Sequence, residues 1–217
     1  MVHPILVVAT GNRGKSAEIR EFLTNFTIEI KDLNDFGPLP QVEEDGATFE
    51  ENAYKKASFI AKILGLPALA DDSGLEVDFL GGKPGIHSAR YAGPKATDSE
   101  NNAKLLQELA GQTNRKARFC CALSLAVPTG AALTYEATCE GTILESPRGD
   151  NGFGYDPLFF YPPNNKTFAE MSLEEKSEVS HRGKALREFR DEFDKVLLWL
   201  EKRQEEERLL RGDYICH

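Results

Sequence analysis

Four groups of residues in this chain have the side chains and spacing for chemistry on a polyanion. The first is Thr10-Gly11-Asn12-Arg13-Gly14-Lys15-Ser16. A glycine-containing turn between a strand and a helix points backbone amides and a lysine at an anion. It is not a P-loop, which requires a glycine where this chain has Ala9. The second group is Asp71-Asp72-Ser73-Gly74, closing an apolar run. Neighbouring strand side chains diverge, so only one of the two carboxylates faces a given site. With Glu43, Glu44 and Asp45 from a loop, these hard oxygen ligands suit Mg²⁺, which takes one or two carboxylates plus substrate phosphates. The third is Gly152-Phe153-Gly154-Tyr155-Asp156-Pro157, whose interleaved aromatics suit a base-stacking wall or a tight turn with core aromatics. It lacks the third glycine of a dinucleotide fingerprint. The fourth is Ser180-His181-Arg182 at a helix start, either a polar reading head for a ligand edge or an ordinary N-cap, with Lys176 nearby.

The elements that position these groups follow from periodicity. Ile5–Ala9 is a short β-branched run that reads as a buried strand, and a helix with Ile19, Phe22 and Leu23 on one face follows the first turn. Phe26 to Lys31 alternates like a half-buried strand. Residues 32–46 read as a loop. Thr48 and Glu51 form a capping box for a helix running to Leu64, with Gly65 and Pro67 as stop signals. Pro67–Ala70 reads as a short strand ending at the two aspartates. Segments 117–127 and 132–144 flank Pro128-Thr129-Gly130 as a hairpin. Ser180 opens one long helix carrying Leu186, Phe189, Phe193, Val196, Leu197 and Leu200, and residues 201–217 form a charged tail. Early strand–helix alternation followed by a hairpin predicts a mixed sheet.

Composition narrows the class. In 217 residues, 26 Lys+Arg oppose 35 Asp+Glu, a net charge of −9. That balance disfavours a nucleic-acid backbone as partner but allows a locally basic site for a small polyanion. No apolar stretch reaches the roughly 18 residues of a membrane span, and no secretory signal pattern opens the chain. Cys120, Cys121, Cys139 and Cys216 show no CxxC spacing, so they read as reduced thiols of a cytoplasmic protein rather than metal ligands.

In combination and in order, ATGNRGK, EEDGATFEENAYKKA, ALADDSGLEVDFLGGKPGIHSARYAG, PRGDNGFGYDPLFF and TFAEMSLEEKSEVSHRGKAL resemble the non-canonical purine nucleoside triphosphate pyrophosphatases, also called inosine/xanthosine triphosphate pyrophosphatases. The resemblance implies a two-lobed α/β domain over residues 1–200, built around an elongated mixed sheet flanked by helices, with the nucleotide in the cleft between the lobes. It implies a homodimer that hydrolyses ITP, dITP or XTP at the α-phosphorus to the monophosphate and pyrophosphate. It further implies that Thr10, Gly11, Asn12, Arg13, Gly14, Lys15 and Lys56 hold phosphates, and that Glu44 and Asp72 hold Mg²⁺. Asp72 is also the implied proton acceptor and Ser73 a substrate contact. Phe153, Gly154, Tyr155, Asp156, Lys176, His181 and Arg182 make up the implied base and substrate set. A phosphoryl-transferring kinase and a non-enzymatic nucleotide-binding module are the alternatives, separable by their products.

Overall fold

The β-branched run Ile5–Val8 forms strand β1, and its chain order to Arg211 is β1, α1 (Arg13–Leu23), β2 (Glu29–Asp32), α2 (Phe49–Leu64), β3 (Ala68–Val77), α3 (Asp98–Glu108), β4 (Lys116–Ala126), β5 (Ala132–Ile143), β6 (Phe159–Tyr161), β7 (Lys166–Thr167), α4 (Leu173–Val179), α5 (His181–Asp191) and α6 (Phe193–Arg211). This is a computed structural model, describing residues 5–24, 26 and 28–211. Cys216, the last six residues of the charged tail and residue 27 of the second expected strand lie outside the described residues.

The seven strands form one mixed sheet in the order β2-β1-β3-β4-β5-β6-β7. β1 pairs in parallel with β2 and β3, and every other pairing is antiparallel. Helix α1 leads from β1 to its neighbour β2 on one side, and α2 then carries the chain from β2 back past β1 to β3 on the other, so the strand order reverses at β1. In open α/β sheets such a switch point, beyond the carboxyl ends of the parallel strands, is where ligands bind. β1 ends at Val8, paired with Leu69, while β3 runs on through Asp71, Asp72 and Ser73.

That continuation corrects the expectation that the strand stops at the aspartates. β4 pairs with β3 along its whole length, Asp71 opposite Leu123 and Asp72 opposite Ala122, and cations neutralise both carboxylates where they stand. Strand alternation then sorts β3 into two faces. Leu69 joins a core with Ile19, Leu23, Leu123 and Phe189, while Leu75 and Val77 join a second core with Phe119, Phe159 and Phe168. Asp71 and Ser73 lie on that same face between the two cores. Ala68 and Ala70 face the other way, against Ala57, Ile60 and Ala61 of α2.

Helix α2 begins as its sequence dictates: Thr48 Oγ1 accepts from the Glu51 amide at 3.1 Å. The box is not reciprocal, because the Glu51 carboxylate takes the Ala47 amide at 2.7 Å instead of that of Thr48. The single helix expected after Ser180 is two, interrupted at Glu192 (φ −102°, ψ 6°) where Phe193 packs on Phe26 with ring centroids 4.1 Å apart. Val196 and Leu200 of α6 belong to the first core, and charge dominates the helix beyond them. No described helix is long and apolar enough to cross a membrane.

Candidate active site

The turn after β1 is built by Asn12. Its side chain caps α1 by accepting from the Lys15 amide at 3.1 Å, and its own amide donates to Thr10 Oγ1 at 3.2 Å. The turn borders a cleft of about 600 Å³ whose walls include Thr10, Gly11, Asn12, Lys15, Glu44, Lys56, Asp72, Ser73 and Arg90. Lys56 comes from the second turn of α2, and its Nζ lies 2.7 Å from Asp72 Oδ1 and 3.4 Å from Glu44 Oε2. Two carboxylates from separate elements thus converge on one positive charge. Among the described residues no group of three or more His, Cys, Asp or Glu could hold a metal alone. A two-carboxylate donor set still fits Mg²⁺, whose remaining ligands are water and substrate phosphate. Burial lifts the Asp72 carboxyl above its ordinary range despite the opposing Lys56 charge. For Lys56 burial acts downward, but the Asp72 and Glu44 charges outweigh it and raise the ammonium.

On the opposite face of β3 is a buried chain of alternating charge. Lys15 Nζ meets Asp71 Oδ1 at 2.5 Å. Arg182 donates through Nε to Asp71 Oδ2 and through Nη2 to Ser73 Oγ, both at 2.8 Å, and pairs through Nη1 with Glu18. Glu18 in turn accepts from Lys176 at 2.8 Å, and Lys176 reaches Asp156 at 2.6 Å. Burial would raise the Asp71 carboxyl, but the Arg182 and Lys15 charges overcome it and hold the group well below the usual carboxylate range. Glu18 is lowered for the same reason, with Arg182 and Lys176 outweighing burial. Asp156, with Lys176 as its main opposing charge, is left raised by burial.

The far side of this chain is a second, smaller cavity of about 90 Å³. Its walls include Phe119, Phe153, Tyr155, Lys176, His181 and Arg182, and it shares Asn12, Lys15 and Ser73 with the larger cleft. Phe153 lies over the Lys176 ammonium, 4.7 Å from ring centroid to Nζ. Its ring presses on the backbone of Gly14 so closely that a Cβ there would overlap it. The backbone of Gly154 is clamped by α3: its amide donates to Asp98 Oδ2 at 2.7 Å and its carbonyl accepts from Asn102 Nδ2 at 2.9 Å. His181 stacks on Phe119 at 4.6 Å and 10°, and its Nδ1 is buried with no hydrogen-bond partner among the described residues. Burial, then the Arg182 charge, drive its pKa well below the ordinary histidine value, so the imidazole is neutral.

The structure therefore brings together nearly all of the expected residues, in two linked cavities. Arg13 and Gly14 are the exceptions: Arg13 is exposed on α1, Gly14 lies against the Phe153 ring, and neither lines a cavity. The guanidinium of Arg182 is also committed, since Asp71, Glu18 and Ser73 take its donors. Sequence reading missed Glu18, Arg90, Asp98 and Asn102. Thr97 and Glu100 form a reciprocal capping box, a local signal for α3 and hence for the last two. Glu18, one acid on a polar helix, gave no such signal.

Fold and site define an α/β protein with a charged cleft at the switch point of its sheet, joined to an aromatic-walled cavity. The chain belongs to the Ham1 family, whose model matches residues 6–192. It is 69% identical over 212 residues, 98% of this chain and 91% of the relative, to a dITP/XTP pyrophosphatase of Syntrophobacter fumaroxidans. It is 56% identical over 211 residues, 97% of this chain and 95% of the relative, to one of Desulfotalea psychrophila. The HAM1 protein of Coxiella burnetii superposes with a TM-score of 0.81 at 42% identity, covering 88% of this chain and 99% of that one. The Ham1 protein of Staphylococcus aureus gives 0.79 at 39% identity, with 88% and 98% coverage.

Proposed function

We propose that this protein hydrolyses non-canonical purine nucleoside triphosphates (ITP, dITP and XTP) to the monophosphate and pyrophosphate. One observation carries the reading: a cation-lined cleft and an aromatic cavity meet at Lys15 and Ser73, the layout a triphosphate joined to a purine requires. The names of the relatives above point the same way. The reading includes Mg²⁺ as cofactor, a homodimer and a cytoplasmic location, all supported by the family resemblance.

In this mechanism the α-phosphorus sits where the cavities join. A water oxygen attacks it, Asp72 accepts the water proton, and the bond to the bridging oxygen breaks to release pyrophosphate. Asp72 suits the role because burial raises its basicity while Lys56 keeps it ionised and oriented. Lys15 and Lys56 offset charge on the phosphate oxygens. Glu44 and Asp72 would hold Mg²⁺, which when bound neutralises triphosphate charge and makes nearby water easier to deprotonate. The base belongs in the smaller cavity, between Phe153 and the charged chain. At about 90 Å³ that cavity is below the usual range for a small-molecule site, so base entry moves the Phe153 ring off Gly14.

Base choice follows from hydrogen-bond edges. Inosine and xanthosine present a 6-keto acceptor and an N1–H donor, while adenine presents the reverse. Neutral His181 is the free donor for the keto oxygen, because Arg182 is already bound. A site built for that edge leaves its polar groups unpaired with adenine. The test is incubation with ITP, dITP, XTP, GTP and ATP in Mg²⁺, followed by product identification. IMP with pyrophosphate is expected from ITP, with GTP cleaved faster than ATP. A diphosphate product would indicate γ-transfer, unchanged bound ITP a binding module, and equal rates on ITP, GTP and ATP would refute the keto-edge argument.

A further inference from the structure

Of the cations on the phosphate cleft, Lys15 is paired with Asp71, and Lys56 with Asp72 and Glu44. Arg90 also lines the cleft, yet among the described residues no carboxylate lies within ion-pair reach of its guanidinium. Among the described residues its guanidinium makes one hydrogen bond, a long one, from Nη2 to the Glu44 carbonyl at 3.4 Å. The backbone that carries it is, by contrast, fixed from several sides. Residues Gly85–Arg90 form a 3-10 turn pressed on β3 at Gly74, where a Cβ would strike the Gly85 carbonyl and Ser88 Oγ. Ser88 Oγ accepts the Leu75 amide at 2.8 Å, and Tyr155 Oη donates to the Ser88 carbonyl at 2.9 Å. Asn101 Nδ2 donates to the Ala89 carbonyl at 3.2 Å. A hydrogen-bonded mount thus presents a guanidinium with no carboxylate partner among the described residues to a cleft shaped for phosphate.

We propose that Arg90 is a further substrate-binding residue, taking oxygens of the departing pyrophosphate end of the triphosphate. The assignment rests on the hydrolytic reading above. Position selects the distal phosphates: Lys15 and Ser73 line both cavities, whereas Arg90, like Lys56 and Glu44, lines only the cleft away from the base. Chemistry agrees, because a guanidinium fork matches phosphate oxygens two at a time. When the α-phosphorus bond to the bridging oxygen breaks, its electron pair leaves with pyrophosphate, and a guanidinium there stabilises the charge that develops.

Calorimetric titration of inorganic pyrophosphate with Mg²⁺, and separately of IMP, into the wild-type protein, R90A and R90K tests the assignment. In R90A the pyrophosphate dissociation constant is expected to rise about tenfold or more, the scale of a lost charged hydrogen bond, with IMP affinity unchanged within about twofold. R90K, which keeps charge but loses the fork, is expected to fall between. R90Q, which keeps a donor for the Glu44 carbonyl without the charge, replaces R90A should that variant not fold. Wild-type pyrophosphate affinity in R90A or R90Q, or equal loss of both ligands, overturns the assignment. Wild-type protein that leaves ITP intact while R90A still loses pyrophosphate selectively overturns the hydrolytic reading and leaves a pyrophosphate contact at Arg90.

Discussion

Asp71 and Asp72 are adjacent, chemically identical and on opposite faces of β3, so the same substitution at each separates scaffold from chemistry. Asp71 is buried, and Lys15 at 2.5 Å and Arg182 at 2.8 Å share its charge. In Asp71→Asn the replacing amide turns donors toward two buried cations. Removing one partner of a buried ion pair costs about 3–5 kcal/mol. For a domain of this size each kcal/mol is worth about 2–4 °C, so the melting temperature is expected to fall by roughly 6–20 °C. Asp72→Asn has the opposite profile. Burial raises that carboxyl, so its own ionisation works against folding, and Lys56, on losing its nearer partner, keeps Glu44 at 3.4 Å. Its melting temperature is expected to stay within about 3 °C of wild type, a change of about 1 kcal/mol. Turnover of ITP is expected to fall at least about 100-fold, the lower end for a lost general base. Scanning calorimetry with a pyrophosphate-release assay on the same preparations measures both. An Asp71→Asn protein that melts like wild type, or an Asp72→Asn protein with near-normal turnover, would refute the division of roles.

Two more outcomes follow. Gly14→Ala places a methyl in the Phe153 ring, so KM for ITP should rise, and adding Phe153→Ala should relieve the overlap; a double variant no better than the sum of the singles would show that the two are not coupled. The depressed pKa of buried His181 makes the unfolded state bind more protons below about pH 6.5, so this group's contribution to stability is present above that pH and lost on acidification. Between pH 7.5 and 5.5 the wild type should lose more stability in urea unfolding than His181→Phe, which keeps the stack on Phe119 and cannot titrate; superimposable pH dependences would contradict this.

Local rules made much of the framework legible. Thr48 and Ser180 each cap the helix that their side-chain chemistry predicts, and the hairpin turn at Pro128-Thr129-Gly130 joins β4 and β5. The phosphate turn, the diverging aspartates and the histidine–arginine pair were recognisable as candidates. What could not be read locally depended on distant partners. Asp71-Asp72-Ser73-Gly74 has the composition of a turn, and it is a strand because β4 pairs with it and Lys15 and Arg182 remove the cost of burying a carboxylate. Glu18 looks like any solvated helix residue until Lys176 and Arg182, some 160 positions later, close over it. Helix α3 had its capping box in plain view at Thr97 and Glu100, but its polar face concealed that Asp98 and Asn102 hold the aromatic loop.

The buried chain from Lys15 through Asp71, Arg182, Glu18 and Lys176 to Asp156 contains as many cations as carboxylates. It therefore casts almost no field beyond its own neighbours, whatever its local strength. Around it lies a body of net charge −9, which repels a free nucleotide at long range. At physiological salt that repulsion fades over about 8 Å, the distance at which screening takes hold. Attraction therefore begins only near the mouth of the cleft. Encounter rate is governed by how well the solution masks the protein's outer charge, and retention by the fixed pairs within.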